Sequence, residues 1–260
     1  MKLFQVDAFS DQLFGGNPAA VCPLPAWIPD DLMQNIAAEN NLAETAFFVP
    51  EGAHFHLRWF TPAVEVDLCG HATLATAHVL FQHLDHPDPI LHFQTRSGLL
   101  QVKREAEGYA MDFPADQLAS LAPPPILRQA LEGLHIKSCF RGRDDYLVEV
   151  ATQAEVEALQ PHFRILQSLD SRGVIVTAPG RQVDFVSRCF YSPAGIDEDP
   201  VTGSAHTSLT PFWAAQLGRE ELVGQQLSTR GGTVLCVLRG DRVILSGRAQ
   251  TYLVGEIQGL

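Results

Sequence analysis

The sequence predicts an α+β protein built from two pseudo-symmetric copies of one unit, each holding a central helix enclosed by strands. Two observations predict it. The stretch from Leu68 to Phe81 carries Ala72, Leu74, Ala75, Ala77, Val79, Leu80 and Phe81, which do not keep to one stripe of a helix. A helix apolar around most of its circumference belongs inside other structure rather than on a surface. Its first turn holds Gly70 and His71 behind Asp67, and a helix start with uncapped N–H groups is a natural anion site.

The second observation is an echo of that stretch. Val201-Thr202-Gly203-Ser204-Ala205-His206-Thr207-Ser208-Leu209 follows the same plan, with Gly203 standing 133 positions after Gly70 and Asp199 upstream. Before the first glycine runs Arg58-Trp59-Phe60-Thr61-Pro62-Ala63, and before the second runs Arg188-Cys189-Phe190-Tyr191-Ser192-Pro193-Ala194. Downstream, Gln94-Thr95-Arg96-Ser97-Gly98 answers to Ser228-Thr229-Arg230-Gly231-Gly232. Segments repeated in the same order at about half the chain length predict a duplication. The run Pro123-Pro124-Pro125 lies near the midpoint and reads as a linker. The expected domains are therefore residues 1–122, to which the C-terminal strand can be added, and residues 123–260.

Taken in order, Met1 to Asp7 alternates polar and apolar and reads as a strand, without the features of a signal peptide. Phe14-Gly15-Gly16-Asn17-Pro18-Ala19-Ala20-Val21 packs turn formers and reads as a loop. Pro29-Asp30-Asp31 opens a helix through Leu32, Ile36 and Ala37 that ends near Asn40-Asn41, its acidic residues suited to the positive end of the helix dipole. Strands are expected over 42–49, 54–60, 90–93 and 99–102, and again over 146–150, 173–176, 183–186, 233–238, 242–245 and 251–254. Pro211 follows Ser204 by seven residues, and a proline inside a helix costs about 3 kcal/mol. The second central helix is accordingly expected to kink or to start later.

Composition narrows the function. A chain of 260 residues with 46% hydrophobic content can bury two ordinary cores. Its net charge of −12 and pI near 5.2 argue against a nucleic-acid partner, which needs a basic face. No run approaches the roughly 18 to 20 apolar residues of a membrane span, so no membrane partner is expected. The five cysteines are odd in number and lack CxxC spacing, which predicts a reducing cytoplasm rather than a disulfide framework. Among ten histidines, His54 and His56 form a pair, but the sequence offers no three or four ligands at metal-site spacing, and no metal is expected. No phosphate loop or dinucleotide fingerprint follows a strand, so no nucleotide cofactor is expected either.

Four residues have two readings each. Glu44, at the mouth of the strand over 42–49, is a surface carboxylate or a base. Asp199 stands before Pro200 as an N-cap stands before a proline at the first helical position, and it also has the chemistry of a catalytic group. His71 is a satisfied core histidine or a reagent. Ser204 is a small residue at a tight helix start or a ligand-binding hydroxyl.

With these motifs in place the sequence resembles the phenazine-biosynthesis PhzF family. The residues that carry the match are Phe14 to Val21, Asn41-Leu42-Ala43-Glu44-Thr45-Ala46-Phe47, Phe60-Thr61-Pro62, Asp67-Leu68-Cys69-Gly70-His71-Ala72-Thr73 and Glu198-Asp199-Pro200-Val201-Thr202-Gly203-Ser204-Ala205-His206. The resemblance implies the diaminopimelate epimerase-like fold, with each domain a curved β-sheet around its central helix and the active site in the cleft between domains.

It also implies a cofactor-independent isomerase, in which a glutamate moves a proton between carbons of a small, cyclic, carboxylated substrate. Glu44 matches that glutamate, with His71 and Asp199 as its catalytic companions. Gly70, Gly203 and Ser204 match substrate-binding positions, and burial of Glu44 among Phe47 and Phe48 is expected. Related epimerases use two opposed cysteines, one at each central helix start. Here Cys69 holds the first position and Thr202 the second, and a threonine hydroxyl is too weak an acid or base for that role. The counterpart of Glu44 in the second half falls at Arg172 or Gly173, so a single base is expected. A small-acid epimerase or racemase, and a non-catalytic small-molecule binding protein on the same fold, are the alternatives. A homodimer is common in the family, with Trp27 and Trp213 as exposed contact points.

Overall fold

The computed structural model describes residues 1–259. The chain forms two compact units, one of Met1–Asp112 joined by the chain from Ser246 onward, the other of Phe113–Leu245.

In the first unit, β1 (Lys2–Ala8) pairs antiparallel with β2 (Asn17–Pro23), so the motif read as a loop is half strand. Its turn lies in 9–16, where Gly16 takes φ +64 and an added Cβ would meet the Ala8 carbonyl oxygen at 2.2 Å. After α1 (Asp30–Asn40), β3 (Glu44–Glu51) runs parallel to β2, and β4 (His54–Phe60) returns antiparallel to it, followed by β5 (Glu65–Val66). The central helix α2 (Gly70–Gln82) leads to β6 (Ile90–Thr95), which is parallel to β4, and then to β7 (Gly98–Glu105) and β8 (Gly108–Pro114).

Every residue of α2 from His71 to Phe81 is buried. That is the packing expected of a helix apolar on all sides, and each large apolar side chain taken out of water there contributes about 1.5–3 kcal/mol. Thr73 and Thr76 fit inside because their hydroxyls donate to the carbonyls of Cys69 and Ala72. The helix α1 covers the opposite face of the strands, with Met33 and Ile36 packed against Cys22, Phe47 and Phe60.

The second unit repeats the plan. It comprises β9 (Ala119–Ser120), α3 (Pro125–Ala130), β10 (Ser138–Arg141), β11 (Asp145–Glu149), α4 (Gln153–Ala158), α5 (Phe163–Leu166), β12 (Gly173–Pro179), β13 (Phe185–Tyr191), β14 (Ile196–Asp199), α6 (Gly203–Leu217), β15 (Glu221–Gln226), β16 (Gly232–Arg239) and β17 (Arg242–Gly247). The last strand, β18 (Ala249–Glu256), returns to pair with β1 of the first unit. The proline run at 123–125 lies within the second unit, where Pro124 caps α3 and Pro125 is its first residue.

Strand registers make the duplication concrete. A parallel pair, then an antiparallel pair, a short returning strand and a second parallel pair occur as β2–β3–β4–β5 with β6, and again as β11–β12–β13–β14 with β15. The same clamp recurs in both. Arg58 on β4 donates through Nε and Nη2 to Glu65 on β5, and Arg188 on β13 donates through Nε and Nη2 to Glu198 on β14. Each guanidinium also lies over the phenylalanine two residues on, Phe60 or Phe190. A bidentate arginine fork fixes the returning strand that leads into each central helix.

Two expectations are corrected. Of the two outcomes expected at Pro211, the late start is ruled out: α6 begins at Gly203 and runs through Pro211 for 15 residues. The proline removes one N–H, and the carbonyl left over, that of Thr207, accepts instead from the backbone N–H of Asp116 at 3.0 Å. Asp116 also accepts from the Ser208 hydroxyl beside it. Trp213 is not an exposed contact point: it is 2% exposed, stacks on Phe185 and donates its indole N–H to Thr177. Trp27 is half-buried and packs on the α1 cluster. No described helix is long and apolar enough to cross a membrane.

Arg188 also donates to the carbonyls of Val156 and Leu159. Replacing it with leucine would strand Glu198 and both carbonyls. We expect Arg188→Leu to lower unfolding free energy by about 3–5 kcal/mol, measured by urea denaturation. A loss under about 1 kcal/mol, the size of a surface pair, would show that the clamp does not hold the hairpin.

Candidate active site

Glu44 is the first residue of β3, in register with Ala19. Alternation along a strand puts Glu44, Ala46 and Phe48 on one face and Thr45 and Phe47 on the other. Thr45 accepts from Asn40 of α1 and Phe47 belongs to the α1 cluster, so Glu44 faces α2. Of the two expected aromatic neighbours, Phe47 thus points away. Trp59, register partner of Ala46, shares the Glu44 face, and its buried indole N–H has no partner among the described residues.

The α2 start meets this carboxylate. Cys69 is the N-cap, in extended conformation, and its side chain makes no capping bond. His71 is the second helical residue and is 5% exposed. Its Nε2 lies 3.0 Å from Glu44 Oε2, while Cys69 Sγ lies 3.5 Å from Nδ1. The first approach is that of an ion pair, because Oε2 is buried and no described donor points at it along a hydrogen-bond direction. Burial by itself would push the His71 imidazole down. The Cys69 sulfur and the Glu44 carboxylate oppose that and hold the imidazolium well above the ordinary range. Burial pushes the Cys69 thiol up to about 11, with the Glu44 charge adding to the effect. Cys69 is therefore a neutral thiol at physiological pH.

Glu44, Cys69 and His71 place donor atoms within 4.8 Å of one another, a convergence that sequence spacing did not reveal. A metal ion would have to use one imidazole nitrogen, yet Cys69 lies closer to Nδ1 and Glu44 approaches Nε2. The thiol would also have to lose its proton first. The donor set suits a line of proton-bearing groups better than a chelate. Gly70, half-buried, opens the helix and offers one of its first-turn N–H groups.

In the second unit Asp199 ends β14 rather than capping α6, correcting the cap reading. Thr202 is the N-cap, but its hydroxyl donates to Asp199 Oδ2 at 2.5 Å instead of accepting from the helix. Gln226 locks this turn by accepting from the Thr202 N–H and donating to the Asp199 carbonyl. Gly203 is buried and Ser204 half-buried in the first turn. His206, fully buried, sits 2.8 Å through Nδ1 from the Thr202 carbonyl, and burial lowers it to about 4, so it is neutral and donates that bond. The register partners Thr45 with Phe60 and Val174 with Phe190 equate Glu44 with Gly173. The counterpart of the carboxylate is a residue without a side chain.

Two duplicated units, each with a buried helix inside its strands, define a protein of the epimerase-like fold. A hydroxyproline epimerase from Agrobacterium vitis, 12% identical with 98% of this chain and 91% of that one covered, superposes with a TM-score of 0.60, a likeness of fold. A family model described as phenazine biosynthesis-like protein matches residues 6–255, and the chain belongs to that PhzC-PhzF family. It is 52% identical to a protein of Pseudomonas aeruginosa named an uncharacterized isomerase, over 99% of this chain and 98% of that one. The crystal structure of a PhzF family protein from Enterococcus faecalis is 46% identical, covers 98% of both chains and has a TM-score of 0.95.

A raised imidazole value has a definite sign. Its contribution to stability is complete below the ordinary value of 6.5 and is lost as pH rises through the folded value. We expect the His71 Cε1–H resonance to stay at its imidazolium position at pH 7.5, and Glu44→Gln to move its titration downward. A His71 that titrates at or below 6.5 in the parent protein would contradict the ion pair.

Proposed function

We propose that the protein is an isomerase that moves a proton between two carbons of a small carboxylated substrate, with Glu44 as the single base. The observation that carries this reading is the buried Glu44 carboxylate set against the start of α2, where its repeat counterpart is Gly173. A base present once favours removal and return of a proton on one face of the substrate. Naming of a 52% identical relative as an isomerase supports the class.

In this mechanism the substrate C–H bond breaks, the proton passes to a Glu44 oxygen, and the electron pair spreads into the conjugated system of the substrate. The His71 imidazolium places positive charge beside that developing negative charge. Such preorganised stabilisation in a site shielded from water is worth several kcal/mol. Glu44 then returns the proton to a second carbon. First-turn N–H groups at Gly70 bind anionic oxygen. Asp199, Gly203 and Ser204 are assigned to substrate on the strength of the repeat and the family match, Asp199 as acceptor and the other two as donors.

A two-thiol epimerase is disfavoured by chemistry. Cys69 is held as a neutral thiol and its counterpart Thr202 has its hydroxyl engaged by Asp199. Retention of a carboxylate, imidazole and thiol in one buried group likewise weighs against a pure binding protein, since burying them costs stability that binding alone does not demand.

Glu44→Gln should abolish solvent-deuterium incorporation into a turned-over substrate, a fall of at least about a thousandfold, while leaving binding nearly intact. Exchange that continues unchanged would remove Glu44 from the chemistry. Cys69→Ala should keep activity within about tenfold. Complete loss would instead point to a thiol mechanism.

A further inference from the structure

Gly173 leaves a hole in the second unit where the first unit holds Glu44, and the structure fills it with Tyr191. A Cβ at Gly173 would lie 2.3 Å from Tyr191 Cδ1, so the ring occupies the room a side chain at 173 would need. Tyr191 stands two residues beyond Cys189 on β13, on the strand face that Cys189 and Phe185 turn toward α6. The ring is backed by the Arg172 guanidinium, 5.2 Å from its centroid, and Arg172 is in turn gripped by the buried Asp145 carboxylate. Tyr191 is 5% exposed, and its hydroxyl is buried with no hydrogen-bond partner among the described residues.

A phenylalanine would fill the same hole without burying an unpaired hydroxyl, which destabilises a fold. The same unit also has a 15-residue helix whose N-cap hydroxyl is turned away from its own first turn, leaving N–H groups there for an outside acceptor. We propose that Tyr191 is a substrate-binding residue whose phenol O–H donates to a carboxylate oxygen of the ligand, completing with Ser204 an anion site at the start of α6. Burial raises the phenol well above its ordinary range, so it is a donor at neutral pH. In this duplicated framework the room that a Glu44 side chain takes in one unit is taken in the other by the ring of the residue across the strand pair, Tyr191. The choice of a carboxylate rests on the function proposed above.

The test uses the full chain labelled with 3-fluorotyrosine, which gives one fluorine environment for each of Tyr109, Tyr146, Tyr191 and Tyr252. Tyr191→Phe assigns its signal, and benzoate serves as the carboxylate probe. We expect benzoate to shift the Tyr191 resonance saturably while the other three stay put, and Tyr191→Phe to weaken benzoate binding five- to tenfold while its thermal midpoint without ligand is no lower than the parent's. An unmoved Tyr191 signal, or equal affinity in Tyr191→Phe, overturns the assignment. Should Tyr191→Phe fail to fold, assignment by substituting the other three tyrosines leaves the shift itself to decide. Glu44→Gln, run alongside, keeps the two ideas apart: continued deuterium exchange in that variant sinks the base and leaves benzoate binding at Tyr191 untouched.

Discussion

The approach of His71 Nε2 to Glu44 Oε2 is the interaction to which the first unit is arranged. A carboxylate and an imidazole shielded from water are costly apart and compatible together, because each offsets the desolvation of the other. That pairing requires β3 to begin where α2 begins. The strand supplies the carboxylate at its first residue, and α2, enclosed on all sides, has only its N-terminal turn free to meet it. The Arg58–Glu65 fork fixes the turn that leads from β4 into that helix.

The second unit shows the same scaffold without the carboxylate. Its strands keep their registers and its arginine fork is reproduced residue for residue, yet Gly173 replaces the carboxylate and Thr202 replaces the thiol. Its helix start is held by hydrogen bonds: Thr202 to Asp199, Gln226 to both, and neutral His206 to the Thr202 carbonyl. The duplicated fold thus carries different residues at its two helix starts, a carboxylate beside an imidazole in one unit and a hydrogen-bonded turn in the other.

Much of the framework was legible in the chain. The apolar circumference of 68–81 marked α2, and the paired Arg-containing segments marked the hairpins ahead of both central helices. What misled was local chemistry read alone. Gly15-Gly16-Asn17-Pro18 has the composition of a loop, but pairing with β1 makes a strand of Asn17–Pro23. Pro211 breaks a helix only if the freed carbonyl has nowhere to go, and here Asp116 reaches it from far along the chain. Asp199-Pro200 has the sequence of a cap, but the helix starts three residues further on because Thr202 and Gln226 fix the turn.

By itself the sequence determined both central helices, about half of the strands, the duplication, the family and the residue types at both helix starts, since these follow from periodicity and from the order of short motifs. Only the tertiary structure decided which side chains meet. That Glu44 lies against His71, that Phe47 turns to the opposite face, and that Tyr191 takes the room left at Gly173 are consequences of strand register. Register is a relation between segments distant in sequence, and a shift of one residue would send every one of those side chains to the other face of the sheet.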